Sequence, residues 1–415
     1  MAPRHHRLLR LLLLLLLFAP GAAFAQVPSL PSPTAPEAWL VTYGPGEVYW
    51  QRFGHNAIWL REPGGLDHTF NFGFFDFEQE SFLKRFVQGR MLYFAAAVPA
   101  DREMAFYAEA GREVRIQRLD LPPEAYATLR DHLLWHVAPE NREYLYDYYQ
   151  DNCSTRLRDA LNLALGGALE TEFSALPATQ NFRAHTRRST QMDRLYFLGL
   201  VVALGIPVDR EISRWDEMFL PSILADALAG AGAGAGVGAG GTGSARANVP
   251  AWHSLVTEDR VLVPGRVLEP PAEPGRTWPV YLLATLLLLG LLAALGRLVR
   301  PGMARALATA WLLVAGTLGI GLALVWGFTD HVAAYPNANL FLLNPLWLLA
   351  LIPTLRQPTA VLLMVGTVLA AVAAAWPGGQ YLADTLAVAG PLNLVVALLL
   401  LRPVPDAAGT APAAN

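Results

Sequence analysis

The C-terminal third of the chain is almost free of charge. Residues 277–415 carry five Arg and three Asp, although 16% of the 415 residues of the whole sequence are charged. Apolar runs of this length are typical of membrane-spanning segments, so one soluble globular fold is excluded. The runs predict five transmembrane helices, at Pro279–Leu298, Ala304–Phe328, Leu340–Pro353, Thr359–Trp376 and Thr385–Leu401.

Arginine positions predict how these helices are oriented. All five arginines fall on one side of the predicted spans, between spans one and two, between spans three and four, and after span five: Arg297, Arg300, Arg305, Arg356 and Arg402. The positive-inside rule makes that side cytoplasmic. Residues 329–339, which contain no Arg, are therefore expected on the same membrane face as the N-terminal domain.

The N-terminus has the three parts of a secretory signal peptide. Residues 4–10 are basic, residues 11–17 are seven Leu, and small residues flank Phe24 before Gln26. An uncleaved anchor is the alternative. We predict a signal peptide at 1–25, an exported domain at 26–276 with a flexible Gly/Ala loop near 228–247, a transmembrane domain at 277–402 and a cytoplasmic tail at 403–415. A net charge of −3 does not indicate a nucleic-acid partner.

The exported domain is expected to be α+β with an antiparallel sheet, because its strand-like runs are not separated by regular helical crossovers. Strand-like runs lie at Trp39–Tyr43, Ala57–Leu60, Thr69–Phe74, Met91–Val98 and Val114–Leu121, and helical patterns at Glu78–Gln88, Asp101–Ala110 and Pro123–Val137. The apolar stretch Leu195–Val208 is too short to span a bilayer. It is either a buried helix or a surface in contact with lipid.

The single cysteine, Cys153, is the main candidate for chemistry. Asp151 and Asn152 precede it and are residue types that cap helices, and Leu recurs at helical spacing after it. Cys153 is therefore expected in the first turn of a helix, where the helix dipole favours the thiolate and lowers the thiol pKa. A buried, inert cysteine is the alternative.

A nucleophilic cysteine also needs a base, and His55 is the candidate. It follows Gly54 at the start of a predicted strand, 98 positions before Cys153, and spacing alone does not bring the two together. The sequence has no metal-ligand spacing, phosphate-binding Gly loop or dinucleotide fingerprint, so we predict no cofactor and no metal.

Several segments in order resemble the Lnb-type apolipoprotein N-acyltransferase family. They are FGHNAIWL (53–60), HTFNFGFFDF (68–77), YYQDNCSTRLRDAL (148–161), LGIPVDREISRWDEMFLP (204–221) and, in the membrane region, TDHVAAYPNANLFLLNPLWLL (329–349). The order of His before Cys also resembles the circularly permuted papain-like thiol folds of the NlpC and lecithin:retinol acyltransferase kind. The resemblance implies a permuted papain-like domain in the periplasm and a multi-pass protein of the bacterial inner membrane.

The resemblance implies acyl transfer from a phospholipid or a diacylglyceryl group, through an enzyme thioester, to the N-terminal amine of a lipoprotein's diacylglyceryl-Cys. Cys153 would be the nucleophile and His55 the general base. The backbone N–H of Cys153, with help from Asn152, would stabilise the oxyanion. Asn71 is slightly preferred over His68 as the residue that orients His55, because its NFG context resembles the family motif more closely. The alternative is that both are ordinary strand residues.

Five further polar residues are candidates for substrate binding. Arg156 is either an ion-paired helix residue or a contact for a lipid phosphate. His331, Asn337, Asn339 and Asn344 lie in or beside the exported loop 329–339, where polar groups at membrane depth are functional candidates. We expect this loop to pack beneath the thiol site and to position the acceptor or a lipid headgroup.

Two other functions fit the same residues. A Cys/His peptidase or amidase acting on cell-wall peptides would use the same nucleophile and base, but would not need five spans. A non-catalytic membrane assembly or binding protein would carry Cys153 as an inert side chain.

Overall fold

The computed structural model describes residues 27–28, 30–230, 255–298 and 302–402. The predicted signal peptide, most of the Gly/Ala loop and the cytoplasmic tail lie outside these residues. The N-terminal domain is built on one antiparallel sheet with the spatial order β6-β4-β3-β2-β1-β5-β7. Its strands are β1 (Glu37–Tyr43), β2 (His55–Arg61), β3 (Asp67–Phe74), β4 (Leu92–Pro99), β5 (Val114–Leu119), β6 (Glu143–Leu145) and β7 (Val256–Val263).

The predicted antiparallel α+β class is confirmed, and the five predicted strands correspond to β1–β5. Two edge strands were missed. The short β6 pairs with β4, and β7 pairs with β5 after the chain returns from the Gly/Ala segment. Most residues of β7 are exposed or half-buried and three of its eight are charged, so it has no continuous apolar signal.

Helices cover both faces of the sheet. They are α1 (Phe82–Gln88), α2 (Ala100–Glu109), α3 (Pro123–Val137), α4 (Cys153–Ala164), α5 (Ala168–Ser174), α6 (Phe182–Thr190), α7 (Arg194–Ala203), α8 (Arg214–Glu217) and α9 (Pro221–Leu228). α2 covers the face that carries Trp39 and Val41, while α4 packs on the other face with Ile58 and Phe70. Side chains alternate between these two apolar layers along each central strand.

Four helices of the C-terminal region are long and apolar enough to cross a membrane. They are α10 (Trp278–Leu298), α11 (Met303–Phe328), α12 (Arg356–Ala375, extended to Pro353 by a 3₁₀ turn) and α13 (Ala383–Leu401). The predicted third helix, Leu340–Pro353, is different. It consists of 3₁₀ segments at Ala338–Phe341, Pro345–Leu351 and Pro353–Leu355. Proline has no N–H to donate and interrupts an α-helix, so the five-helix expectation holds for four.

The 3₁₀ segments run beside α12 and pack against α11 and α12, while Leu346, Leu351 and Ile352 are exposed. The Ala338 N–H donates to Gln380 Oε1 over 2.7 Å, and Gln380 lies just beyond the C-terminal end of α12. From Ala338 the chain runs back along α12 to its first residue, Arg356. Glycines let the backbone approach closely, because a Cβ on Gly319 of α11 would lie 2.6 Å from Leu343 O. A Cβ on Gly366 of α12 would lie 2.4 Å from Phe341 O.

Loops of the membrane region bind the N-terminal domain directly. The backbone N–H of Asp330 donates to Gln88 O over 2.8 Å, and Asn337 Nδ2 donates to Val202 O over 2.9 Å. Gln380 Nε2 donates to Leu204 O over 3.1 Å. The prediction that residues 329–339 lie on the same face as the N-terminal domain is confirmed.

The apolar stretch Leu195–Val208 is buried on one side and exposed on the other. α7 buries Phe197 and Val201, whereas Leu195 is 85% exposed. Its partly buried Val202 packs against the core of the membrane region, so the helix joins the two parts of the chain.

Candidate active site

Cys153 is the first residue of α4, as the capping residues predict. Asn152 Oδ1 accepts the N–H groups of Ser154 and Thr155, each at 2.9 Å, and Thr155 Oγ1 accepts the Asn152 N–H in return. Such a reciprocal cap fixes the start of a helix. Cys153 as a residue is half-buried at this point.

The predicted oxyanion role of the Asn152 side chain does not fit this geometry. Asn152 Nδ2 already donates to Tyr148 O at 2.9 Å and to Phe219 O at 3.0 Å. Both amide protons are used to hold the segment before α4, so the side chain serves the fold and has no proton left to donate to an oxyanion.

A buried hydrogen bond joins the start of β2 to the start of α4. Ser154 Oγ lies 3.0 Å from Asn56 Oδ1 and 2.8 Å from Met218 O, and shares its proton between them. Asn56 Nδ2 donates to Thr42 Oγ1 over 2.8 Å. The residue after His55 is thus tied to the residue after Cys153. Sequence reasoning missed both positions, whose only signal is a polar residue next to each candidate.

The sheet is open beside the thiol. β3 carries a bulge between Asn71 and Phe74, and Gly73 within it has φ +99°, a backbone conformation that favours glycine. A Cβ on Gly73 would lie 3.6 Å from Cys153 Cβ and 3.8 Å from Tyr146 Cε2. Gly73 therefore lies against both Cys153 and the aromatic ring of Tyr146.

Asn71 orients His55. Its Oδ1 lies 2.9 Å from His55 Nε2, while its Nδ2 donates to Glu103 Oε2 at 3.0 Å and to Thr69 O at 3.3 Å. Two acceptors around Nδ2 direct Oδ1 toward His55, so Nε2 carries the proton and Nδ1 the lone pair. Nδ1 is then the nitrogen that can accept a thiol proton.

The structure distinguishes between the two candidates for this third position. Asn71 lies on the same face of the sheet as His55, since it pairs with Ala57 and Ala57 is two residues after His55. His68 is three residues before Asn71 and points to the opposite face. Geometry therefore selects Asn71 as the partner of His55.

Burial keeps both candidate reactants neutral. It lowers the pKa of His55 to about 4, with Arg112 lowering it further and the bond to Asn71 opposing both. Burial also raises the pKa of Cys153, against the lowering by the N–H groups of Asn56, Ser154 and Cys153 and by Arg112. The expected lowered thiol pKa is therefore wrong, because desolvation of the sulfur outweighs the helix N-terminus.

Arg112 is a charged group of the site that sequence reasoning missed. Its side chain is buried, and its Nε donates to Gly44 O at 2.7 Å. The guanidinium carbon lies 4.6 Å from the centroid of the Tyr107 ring. Among the described residues no carboxylate forms an ion pair with Arg112, so its positive charge acts on Cys153 and His55 without local neutralisation.

The predicted substrate-binding residues are occupied by other protein groups. Arg156 Nη2 donates to Asp151 Oδ2 at 2.6 Å, and its guanidinium lies 3.9 Å from the Tyr144 ring centroid. This is the ion-paired alternative for Arg156.

His331, Asn337 and Asn339 join the two parts of the chain, whereas Asn344 bonds within the membrane region. Asn337 and Asn339 donate to carbonyls at the end of α7, His331 Nε2 donates to Phe86 O at 3.0 Å, and Asn344 caps the 3₁₀ segment that begins at Pro345. Their side chains bind the protein backbone, so the loop holds the domain on the membrane region. Their predicted contact with substrate stays a prediction.

A cavity of about 440 Å³ lies between the segment that precedes α4 and loop 329–339. Its lining includes Asp147, Gln150, Arg210, Val332 and Tyr335. Within the described ranges, no three His, Cys, Asp or Glu side chains lie close enough together to hold a metal ion.

Comparison with known families assigns both parts of the chain. The model for the Lnb N-terminal periplasmic domain matches residues 32–190, which include His55, Asn71 and Cys153. The model for the Lnb transmembrane domain matches residues 272–377. No curated protein and no solved structure matches the chain. The chain therefore belongs to the Lnb family, as a multi-pass membrane protein with an N-terminal periplasmic domain.

Proposed function

We propose that this protein is a thiol acyltransferase. It moves an acyl chain from a phospholipid or a diacylglyceryl group to Cys153, and then to the N-terminal amine of a bacterial lipoprotein. The observation that carries the proposal is the Asn71-oriented His55 at the end of the sheet where Cys153 begins α4. This domain is bound to transmembrane helices, where lipid-anchored substrates are available.

The first half-reaction forms a thioester. His55 Nδ1 takes the proton of the Cys153 thiol as the sulfur attacks the ester carbonyl. The backbone N–H groups of Cys153 and Asn56, which surround the sulfur, stabilise the oxyanion of the tetrahedral intermediate. The C–O bond breaks, and the imidazolium returns its proton to the departing lysolipid alcohol.

The second half-reaction forms an amide. The free amine of the lipoprotein attacks the thioester carbonyl, and His55 accepts the proton that the nitrogen loses. The C–S bond then breaks, and the sulfur leaves with that proton as the thiol. His55, with a pKa of about 4, is neutral at pH 7 and begins both half-reactions as a base.

The membrane region supports a fifth crossing made by the 3₁₀ segments. Residues 338–355 run the length of α12, and a 3₁₀ helix rises about 2.0 Å per residue, enough to cross a hydrocarbon core of about 30 Å. Burial between α11 and α12 permits this irregular backbone at membrane depth. We place the protein in the bacterial inner membrane, where five crossings would put its C-terminus in the cytoplasm. The order of His55 before Cys153 fits a permuted papain-like domain.

Mass spectrometry of the purified protein in vesicles of a long-chain glycerophospholipid tests the proposal. We expect an acyl adduct on Cys153, discharged by a diacylglyceryl lipopeptide with a free N-terminal amine, and an amide product. Cys153→Ser should form no adduct, and a lipopeptide with an acetylated amine should not discharge it. Cleavage of cell-wall peptides with no adduct would instead establish the peptidase alternative.

A further inference from the structure

Six aromatic rings form a continuous series from the thiol toward the membrane region. They are Tyr146, Tyr93, Phe75, Phe77, Phe82 and Phe86, and we call them the aromatic strip. Successive ring centroids are 4.0, 5.4, 4.7, 5.3 and 6.3 Å apart.

The strip begins beside the sulfur. Gly73 lies between Cys153 and Tyr146, with its missing Cβ within 4 Å of both residues. Cys153 and the first ring of the strip therefore both lie against Gly73.

The strip ends where the chain leaves the transmembrane helices. Phe86 O accepts from His331 Nε2 at 3.0 Å, and Gln88 O accepts from the Asp330 N–H at 2.8 Å. Arg90 forms an ion pair with Asp330. Because α11 ends at Phe328, these contacts place α1 at the level of the outer membrane surface.

The membrane end of the strip exposes apolar side chains. Phe77 is 64% exposed and Leu83 71% exposed, and Phe86 and Val87 beside them are also exposed. Contiguous apolar exposure of this kind marks a binding surface. The exposed Lys84 lies among these residues, and a cation beside apolar side chains suits the phosphate level of a bilayer.

We propose that the aromatic strip binds an acyl chain of a bilayer glycerolipid and guides it from the outer leaflet to Cys153. This inference rests on the proposed function and names the path of its donor. A hydrocarbon chain fits the strip because six aromatic rings follow one another, at centroid distances of 4.0 to 6.3 Å, from the membrane end to the neighbourhood of Gly73 and Cys153. Acyl chains are also the apolar groups that the neighbouring bilayer supplies in excess.

The test compares long and short acyl donors on the purified full chain in vesicles. We expect the double variant Phe77→Ala/Phe86→Ala to reduce acylation of Cys153 by a 16-carbon phospholipid at least tenfold. Acylation by water-soluble p-nitrophenyl acetate and alkylation by iodoacetamide should stay unchanged. The matched control is Trp135→Ala on α3, which removes an aromatic ring that is 55% exposed and outside the strip. It should leave all three rates unchanged.

Photocrosslinking supplies a readout that does not need turnover. A phospholipid with a diazirine in its acyl chain should label residues 75–86 of the unmodified protein. If Cys153 is acylated but the strip is neither labelled nor sensitive to the double variant, the strip proposal is overturned and the proposed function stands. If the strip is labelled but Cys153 never accepts an acyl group, the lipid path stands and the transferase reaction fails. An equal loss with long and short donors would also overturn the strip.

Discussion

Ser154 Oγ lies 3.0 Å from Asn56 Oδ1, and this buried contact joins the residue after the candidate nucleophile to the residue after the candidate base. Local structure alone would leave β2 and α4 as separate elements 98 residues apart in sequence. The pair fixes the start of one against the start of the other, so the thiol and the imidazole belong to one rigid unit.

Ser154→Ala tests this junction. The variant leaves the Asn56 side-chain carbonyl buried without its donor, which costs about 1–3 kcal/mol. We expect a lower thermal midpoint and slower acylation of Cys153, measured by calorimetry and by intact mass. Thr128→Ala removes a solvent-exposed hydroxyl on α3 and should change neither quantity. Acylation at the normal rate in Ser154→Ala would contradict a positioning role.

Asn71→Ala tests the orientation of His55. Without Oδ1 the imidazole loses its only side-chain hydrogen bond among the described residues, and a misdirected base costs about 10²-fold in rate. Single-turnover acylation should fall by about that factor while the phospholipid concentration for half-maximal rate stays the same. His68→Ala changes the same strand on its opposite face and should retain the rate. A larger loss in His68→Ala than in Asn71→Ala would reverse the assignment.

The pH dependence of acylation should follow the lowered pKa of His55. Below about pH 4 the imidazole is protonated and cannot accept the thiol proton, so the rate is lost as the pH falls through that value and is retained from pH 5 to pH 7. Initial rates of acylation, measured at constant ionic strength across this pH range, report the loss on the acid side. Half-loss near the ordinary histidine pKa of about 6.5 would contradict it.

Arg112→Met tests the unpaired cation. Arg112 lowers the pKa of both Cys153 and His55, so its removal should raise both. We expect slower alkylation of Cys153 by iodoacetamide at pH 8. We also expect the loss of acylation rate on the acid side to occur at a higher pH than in the unmodified protein. Arg118→Met removes a half-exposed arginine on β5, the strand that follows Arg112; Arg118 pairs with Glu37, and its removal should leave both profiles in place. Unchanged profiles in Arg112→Met would show that its charge does not reach the site.

Gly319→Ala tests the packing of the 3₁₀ segments. The new Cβ would lie 2.6 Å from Leu343 O and 2.7 Å from the carbonyl carbon of Asn344, and overpacking of this kind costs about 1–3 kcal/mol. Thermal unfolding in detergent should show a lower midpoint. On the same helix, a Cβ on Gly321 has no neighbour within 4 Å, so Gly321→Ala should not lower it. Equal midpoints for the two variants would exclude the close approach.

Local sequence patterns predicted much of the fold. Alternating apolar residues located β1–β5, and the cap at Asn152 located the start of α4. The third membrane segment was assigned as a helix because its apolar composition is the same in either conformation. Its prolines, and the close approach of its backbone to Gly319 and Gly366, favour 3₁₀ geometry instead.

The site was predictable only in part. The thiol, the imidazole and the amide of the site lie within recognisable sequence motifs, at Cys153, His55 and Asn71. Glu103 and Arg112 act through tertiary contacts from α2 and the turn after it, which leave no local pattern. The pKa of Cys153 was misjudged because the helix dipole is visible in sequence, whereas burial of the sulfur depends on the complete fold.

The attachments from Gln88, Val202 and Leu204 to the loops of the membrane region leave the domain little freedom to tilt or descend. In the proposed reaction, the sulfur would therefore keep one height over the bilayer, and each reactant would have to reach it there. Molecules held in the leaflet by a lipid tail arrive at that height by lateral diffusion, whereas untethered peptides meet it only by chance collision. In the proposed reaction, this fixed height would by itself favour membrane-anchored substrates over soluble ones.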